Sequence, residues 1–171
     1  GEAAQCVWFA ATLGEGYDKP DDYFTDEILT KYFKRVSVGK TELKEILAID
    51  DSWRKSSHLT AQFAVKNALV DRDMTFHRDD DVMKGVYKAK NTAFKNNDFK
   101  PLMDDKWNPG DIWAVEDGFS IKELDTSTVE SLNDDILDLH LQKRLVGISL
   151  KKVSSAVQSV EKNVERPPQT A

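Results

Sequence analysis

Asn108-Pro109-Gly110-Asp111-Ile112-Trp113-Ala114-Val115-Glu116-Asp117-Gly118-Phe119-Ser120-Ile121-Lys122 is the stretch whose reading decides the fold. It is rich in β formers between two sets of turn residues, Asn108-Pro109-Gly110 ahead and Asp117-Gly118 behind. That pattern predicts a strand over 111–116 and a hairpin into a second strand over 119–122. Further on, Leu145-Val146-Gly147-Ile148-Ser149-Leu150-Lys151 is a second strong strand candidate. Its period of two sets Gly147, Ser149 and Lys151 on one face and the apolar Val146, Ile148 and Leu150 on the other, which is free to be buried.

Helical patterns surround these strands. Val7, Ala10 and Ala11 share a face of a helix over 3–13, stopped by Gly14 and Gly16. Thr25 is placed to cap a short helix carrying Ile28, Leu29 and Tyr32, and Gly39 breaks the chain after it. Leu43, Ile46 and Leu47 mark another short helix, and Asp51 or Ser52 is placed to cap a longer one reaching Val70. Asp79–Asp81 favour the start of a helix bearing Val82, Val86, Ala89 and Ala93. Ser127-Thr128-Val129-Glu130 has the form of a capping box ahead of Leu132, Ile136 and Leu139. Val153, Val157, Val160 and Val164 repeat with helical spacing, and Arg166-Pro167-Pro168-Gln169 reads as a tail. The order predicts an α/β (α+β) domain, a core sheet flanked by helices. Residues 20–100 form a helical insertion in this reading, 101–165 the sheet core and 166–171 the tail.

The chain has 171 residues, 24 Lys+Arg against 30 Asp+Glu and a net charge of −6. That acidic balance argues against a passive nucleic-acid coat, though an enzyme with one locally basic groove remains compatible with it. The lone Cys6 excludes an internal disulfide or a cysteine zinc site. His58, His77 and His140 lack the spacing of a histidine metal site. No apolar run is long enough for a membrane span, and the opening residues do not resemble a signal peptide. The missing initiator Met suggests a piece or processed product of a longer polypeptide.

Ser149 and Lys151 therefore project together from a strand whose back is core, and Asp111 opens a strand able to pair nearby. A carboxylate beside a lysine is what metal-assisted phosphodiester hydrolysis needs. The carboxylate holds Mg²⁺ (or Mn²⁺), the metal activates a water and polarises the phosphate, and the lysine steadies the water or the developing charge.

With Pro109-Gly110-Asp111 and Ser149-Leu150-Lys151 in these positions, the chain resembles the PD-(D/E)xK, or restriction-endonuclease-like, nuclease superfamily. The segment 106–113 also resembles uncharacterised tailed-phage proteins associated with that fold. The resemblance covers the first helix and residues 106–165. It implies a Mg²⁺-dependent nuclease, phage-encoded and acting in the host cytoplasm or the virion, with DNA as partner and no membrane. It implies Asp111 as metal ligand and catalytic residue, Glu2 on the first helix as a second ligand, and Lys151 as the catalytic cation. Ser149 stands where the family has its second acid, and Glu116 or Glu123 could supply that acid from elsewhere.

Lys84, Lys88, Lys90 and Lys95, with Lys152, are candidates for holding DNA phosphates; a solvated helix face is the bland alternative. Trp107 and Trp113 read as core or site walls rather than base-stacking platforms, and His77-Arg78 as a solvated loop, with contact to phosphate as the alternative. Two other functions are compatible with the pattern. One is a catalytically inactive nuclease-like virion or interaction module. The other is a DNA-binding helper without chemistry.

Overall fold

The computed structural model describes residues 1–108 and 110–153. Its elements run α1 (Glu2–Glu15), α2 (Asp26–Tyr32), β1 (Val36–Ser37), α3 (Leu43–Leu47), α4 (Asp51–Lys66), β2 (Met74–His77), α5 (Asp81–Asn96), α6 (Asp104–Trp107), β3 (Ile112–Glu116), α7 (Val129–Leu141) and β4 (Leu145–Ile148). The fold is of the α+β class. Its four-stranded sheet has the order β1-β2-β3-β4, with β1 parallel to β2 and the other neighbours antiparallel.

The row Phe76–Ala114–Val146 faces one layer, and the row His77–Trp113–Gly147 faces the other. On the first face α1 is the central helix, with every residue from Ala4 to Thr12 buried. A helix without a polar face has to lie inside. Its small residues Ala4, Ala10 and Ala11 share the core with Ala61 and Ala64 of α4, so the two backbones can approach closely. The second face is covered by α5 and α7, with Val86, Phe94, Leu132 and Ile136 packed around Trp113 and Val115. Gly147 fits closely here, since a Cβ would sit 3.2 Å from the Trp113 ring and the ring would have to give slightly. No helix among the described residues is long and apolar enough to cross a membrane.

Several expectations change. The 20–100 region is mostly helical but is not an insertion beside the sheet, since it supplies β1 and β2, half of the strands. The hairpin at Asp117-Gly118 does not form. Ser120 and Glu123 close a capping box over a 3₁₀ turn at Ile121–Glu123, and β3 pairs instead with β2 and β4. The first helix runs past Gly14 to a cap at Gly16. Asp50, not Asp51 or Ser52, caps α4, which ends at Lys66, where Asn67 and Ala68 (φ 54°) turn the chain. Thr128, not Ser127, caps α7. Thr25 caps α2 as its sequence suggests. Strand β4 stops at Ile148, so Ser149 and Lys151 follow the strand rather than belong to it. The helical repeat beyond Val153 and the tail lie outside the described residues.

Candidate functional site

The strand directions bring the C-terminal ends of β2 and β4 beside the start of β3. Asp111 stands at this end. Its backbone N–H donates to Ile148 O at 2.7 Å, extending the β3–β4 ladder by one residue. Its carboxylate Oδ2 accepts the N–H of Leu150 at 2.8 Å. Ser149 is thereby held between two residues that Asp111 grips. Lys151 follows next along the chain and is exposed.

Glu2 reaches the same end from the first turn of α1. Its Oε2 lies 2.8 Å from Nη2 of Arg78, and Nη1 of Arg78 donates to the Asp111 carbonyl at 3.5 Å. Arg78 thus stands between the two carboxylate-bearing residues, touching the side chain of one and the backbone of the other. A hollow of about 370 Å³ opens beside it, lined by Gly1, Glu2, Thr41, Glu45, Arg78 and Asp79.

The corner that carries Arg78 is braced from behind. The Arg78 N–H donates to Ser37 O at 2.9 Å, prolonging the β1–β2 pairing. Asp80 caps α5 by accepting the Met83 N–H at 3.0 Å and pairs with His77 Nδ1, while His77 Nε2 meets Thr75 Oγ1 at 2.7 Å. Burial pushes the Asp80 carboxyl up, but the hydrogen bonds from His77 and Met83 outweigh it and hold the group below its ordinary range. Asp79 takes a left-handed backbone (φ 52°), and Gly39 (φ 62°) packs so closely that a Cβ would meet the Asp79 carbonyl oxygen at 2.3 Å. Cys6 lies fully buried, and burial drives its thiol pKa far up, so it is an inert core residue.

Glu2, Asp111 and Ser149 therefore gather with Arg78 at one sheet end, and Lys151 is the next exposed residue of the same segment. Glu116 and Glu123 do not belong to this group. Arg144 binds both of them at the other end of the strands, at 2.5 Å and 2.7 Å. Trp107 and Trp113 are buried walls of the second core. His58 is enclosed by the rings of Trp8 and Phe24, and burial lowers its pKa.

The lysines divide. Lys90 is 2% exposed, with Nζ 2.5 Å from both Leu102 O and Asp104 Oδ1, so it is an internal fastener and not a phosphate ligand. Lys84, Lys88 and Lys95 are exposed and fall within about 40° of one another around α5. Their stripe lies on the side of α5 opposite its buried face of Met83, Val86, Lys90, Ala93 and Phe94, so it points to solvent, away from the sheet. Lys152 lies with its ammonium 4.7 Å from the Trp53 ring centroid.

Arg78 is the residue that sequence reading undervalued. The available signal was the change from alternating Met74 and Phe76 to the charged run His77-Arg78-Asp79-Asp80-Asp81, which marks a strand end rather than a loose loop.

Among the described residues no three His, Cys, Asp or Glu side chains are grouped to hold a metal ion. The donors at the sheet end are two carboxylates and a hydroxyl. Such a hard-oxygen set fits Mg²⁺, which keeps several waters, better than zinc or copper. One oxygen of each carboxylate is already engaged, by Arg78 and by the Leu150 N–H. Comparison of the chain with protein-family models, with curated proteins and with solved structures finds no match.

Proposed function

We propose that this chain is a metal-dependent DNA nuclease whose reaction takes place at the Asp111 end of the sheet. The observation that carries this reading is the grip of the Asp111 carboxylate on the Leu150 N–H, which ties the acid to the Ser149-Leu150-Lys151 segment. Arg78 links the same acid-bearing segment to Glu2.

In this reading Asp111 and Glu2 hold Mg²⁺ or Mn²⁺, and Ser149 adds a neutral oxygen. Once bound, the metal supplies Lewis-acid polarisation of the phosphate and a water of lowered pKa. Arg78 offers a planar fork to the phosphate oxygens. Lys151 meets the charge that develops in the transition state. The exposed stripe Lys84, Lys88 and Lys95 offers DNA phosphates a basic strip along the outer face of α5. Phage origin, and action in the host cytoplasm or the virion, belong to the same reading.

Incubation of supercoiled plasmid with the full chain in Mg²⁺, Mn²⁺ and EDTA tests it. We expect nicked and linear products with either metal and none with EDTA, Asp111→Asn or Lys151→Ala. Cleavage that survives Asp111→Asn would refute the assignment.

A second reading has its own support. Ser149 is neutral and Glu2 is already neutralised by Arg78, as in a nuclease-like fold kept as a binding or virion module. A folded wild type that never cuts DNA would favour this alternative, and a salt-dependent gel shift without cleavage would favour a DNA-binding helper.

A further inference from the structure

Trp53 stands apart from the other three tryptophans. Trp8, Trp107 and Trp113 are at most 2% exposed, whereas Trp53 is 36% exposed on the first turn of α4. It also adjoins the candidate site from two directions. A Cβ on Gly1, the residue before Glu2, would lie 2.9 Å from Trp53 Cζ3, so the ring packs against the start of α1. Lys152 follows Lys151 and lays its ammonium over the ring, 4.7 Å from the centroid, so a base stacks on that face only as this flexible side chain swings aside to a phosphate. The next residue, Val153, donates its N–H to Ser56 Oγ at 2.9 Å, fastening the end of the Ser149–Lys152 segment to α4. Gly1 further belongs to the lining of the 370 Å³ hollow that holds Glu2 and Arg78.

We propose that Trp53, with Lys152, is a stacking platform for an unpaired nucleobase, so that the chain engages single-stranded DNA or a frayed end. This deepens the nucleic-acid reading of the sheet end and rests on it.

An aromatic face accepts any base, and a neighbouring lysine holds the phosphate that joins that base to the next. A paired base inside a duplex has both faces covered by its neighbours and cannot use such a ring. Lys151 and Lys152 are exposed and supply the positive charge that a phosphate seeks. The nearest acids offset this in part. Asp50 turns its carboxylate to its own helix, accepting from Trp53 N–H at 3.0 Å and Ser52 Oγ at 2.7 Å, and Asp51 is exposed on the same turn. The hollow next to Gly1 leaves room beside the platform for an adjoining nucleotide on the way to Arg78.

The probe is a twelve-residue oligothymidylate titrated into the full chain in EDTA, with tryptophan emission and the anisotropy of a labelled copy read together. Because Trp53 is the exposed tryptophan, saturable quenching is expected from the single strand and not from a blunt duplex of the same length. Trp53→Phe should abolish the quenching while keeping most of the affinity, since a phenyl ring still stacks. Trp53→Ala should weaken binding about tenfold or more. Lys152→Ala should weaken it less and flatten the salt dependence by about one phosphate contact. Circular dichroism of each variant separates a lost ring from a lost fold, and Trp53→Phe stands in if Trp53→Ala does not fold. Wild-type affinity in Trp53→Ala, or a Trp53 that acrylamide cannot reach in the free protein, would overturn the proposal. A wild type that binds the single strand through Trp53 but cuts no DNA in Mg²⁺ would overturn the nuclease reading alone. A wild type that cuts plasmid but shows no single-strand quenching would overturn the platform alone.

Discussion

The two ends of the sheet each carry an arginine between acids, and they use it differently. At one end Arg144 is closed into a fork. Its Nε meets Glu116 at 2.5 Å, and its two terminal nitrogens meet Glu123 at 2.7 Å and 3.1 Å. The hydrogen bonds to Glu123 and then to Glu116 raise the Arg144 pKa still further above its ordinary value. The bond from Arg144 is also the first reason that Glu123 sits below the usual carboxylate range. At the other end Arg78 makes one ion pair, to Glu2, and one long bond to the Asp111 backbone. Among the described residues, the Asp111 carboxylate accepts the backbone N–H of Leu150. Similar residues therefore give a finished ionic clasp at one end and an open arrangement of donors at the other. On the proposed reading, the cation would bind at the second end and not within the closed clasp.

The largest expected effect separates the two ends by activity. Asp111→Asn keeps the side-chain volume and the capacity to accept the Leu150 N–H but removes the charge. If metal binding supplies several kcal/mol of transition-state stabilisation, plasmid cleavage should fall about a thousandfold. Glu116→Gln at the closed end should leave the cleavage rate of the folded protein unchanged, while melting at a lower temperature in a thermal scan.

Arg78 sharpens the contrast. Arg78→Met removes a guanidinium that competes with a metal for Glu2, so Mn²⁺ should bind more tightly by calorimetry. Cleavage should nevertheless drop about tenfold to a hundredfold, because the phosphate loses its fork. Arg144→Ala should change neither quantity and should show itself only as lost stability.

The lysines of α5 offer a smaller test. Lys90→Ala deletes a charge-assisted bond to a carbonyl inside the protein and should destabilise it by about 2 kcal/mol in urea unfolding, with DNA affinity kept. Lys84→Ala and Lys88→Ala should do the reverse, each lowering the salt slope of DNA binding by about one while the unfolding midpoint stays in place.

The smallest effect is one of pH. Asp80 is held below its ordinary pKa by His77 and Met83, so its contribution is complete above the unfolded value near pH 4. It is lost as the pH falls through the depressed folded value. Asp80→Asn should therefore lie below wild type in stability at neutral pH and converge with it in acid, as followed by urea midpoints from pH 7 to pH 2.

The sequence showed most of the helices, because capping residues and apolar spacing agree locally, as at Thr25 and in α5. It also showed β3 and β4, whose apolar runs are bounded by turn residues. The other half of the sheet was hidden for physical reasons. Strand β1 is two residues long, and β2 is a four-residue run whose buried members include a histidine. Neither carries a periodicity that can be told from a loop. The hairpin misreading has the same origin, since Asp117-Gly118 does turn the chain but the partners of β3 come from 36 to 42 residues away on one side and 30 to 36 on the other. Asp111, Ser149 and Lys151 were legible as types at recognisable spacing. Arg78 was legible only as a possible phosphate contact set below a solvated loop, because its place beside Glu2 depends on another helix arriving. Lys90 misled for the converse reason: its burial against Asp104 and Leu102 is a tertiary fact that charge counting cannot supply.

The measurement that bears most directly on the difference between the two ends is a calorimetric titration of Mn²⁺ into wild type, Asp111→Asn and Glu116→Gln. We expect saturable binding to wild type and to Glu116→Gln, with binding lost or greatly weakened in Asp111→Asn. No binding to wild type, or equal binding to Asp111→Asn, would contradict the assignment of the Asp111 end as the cation site.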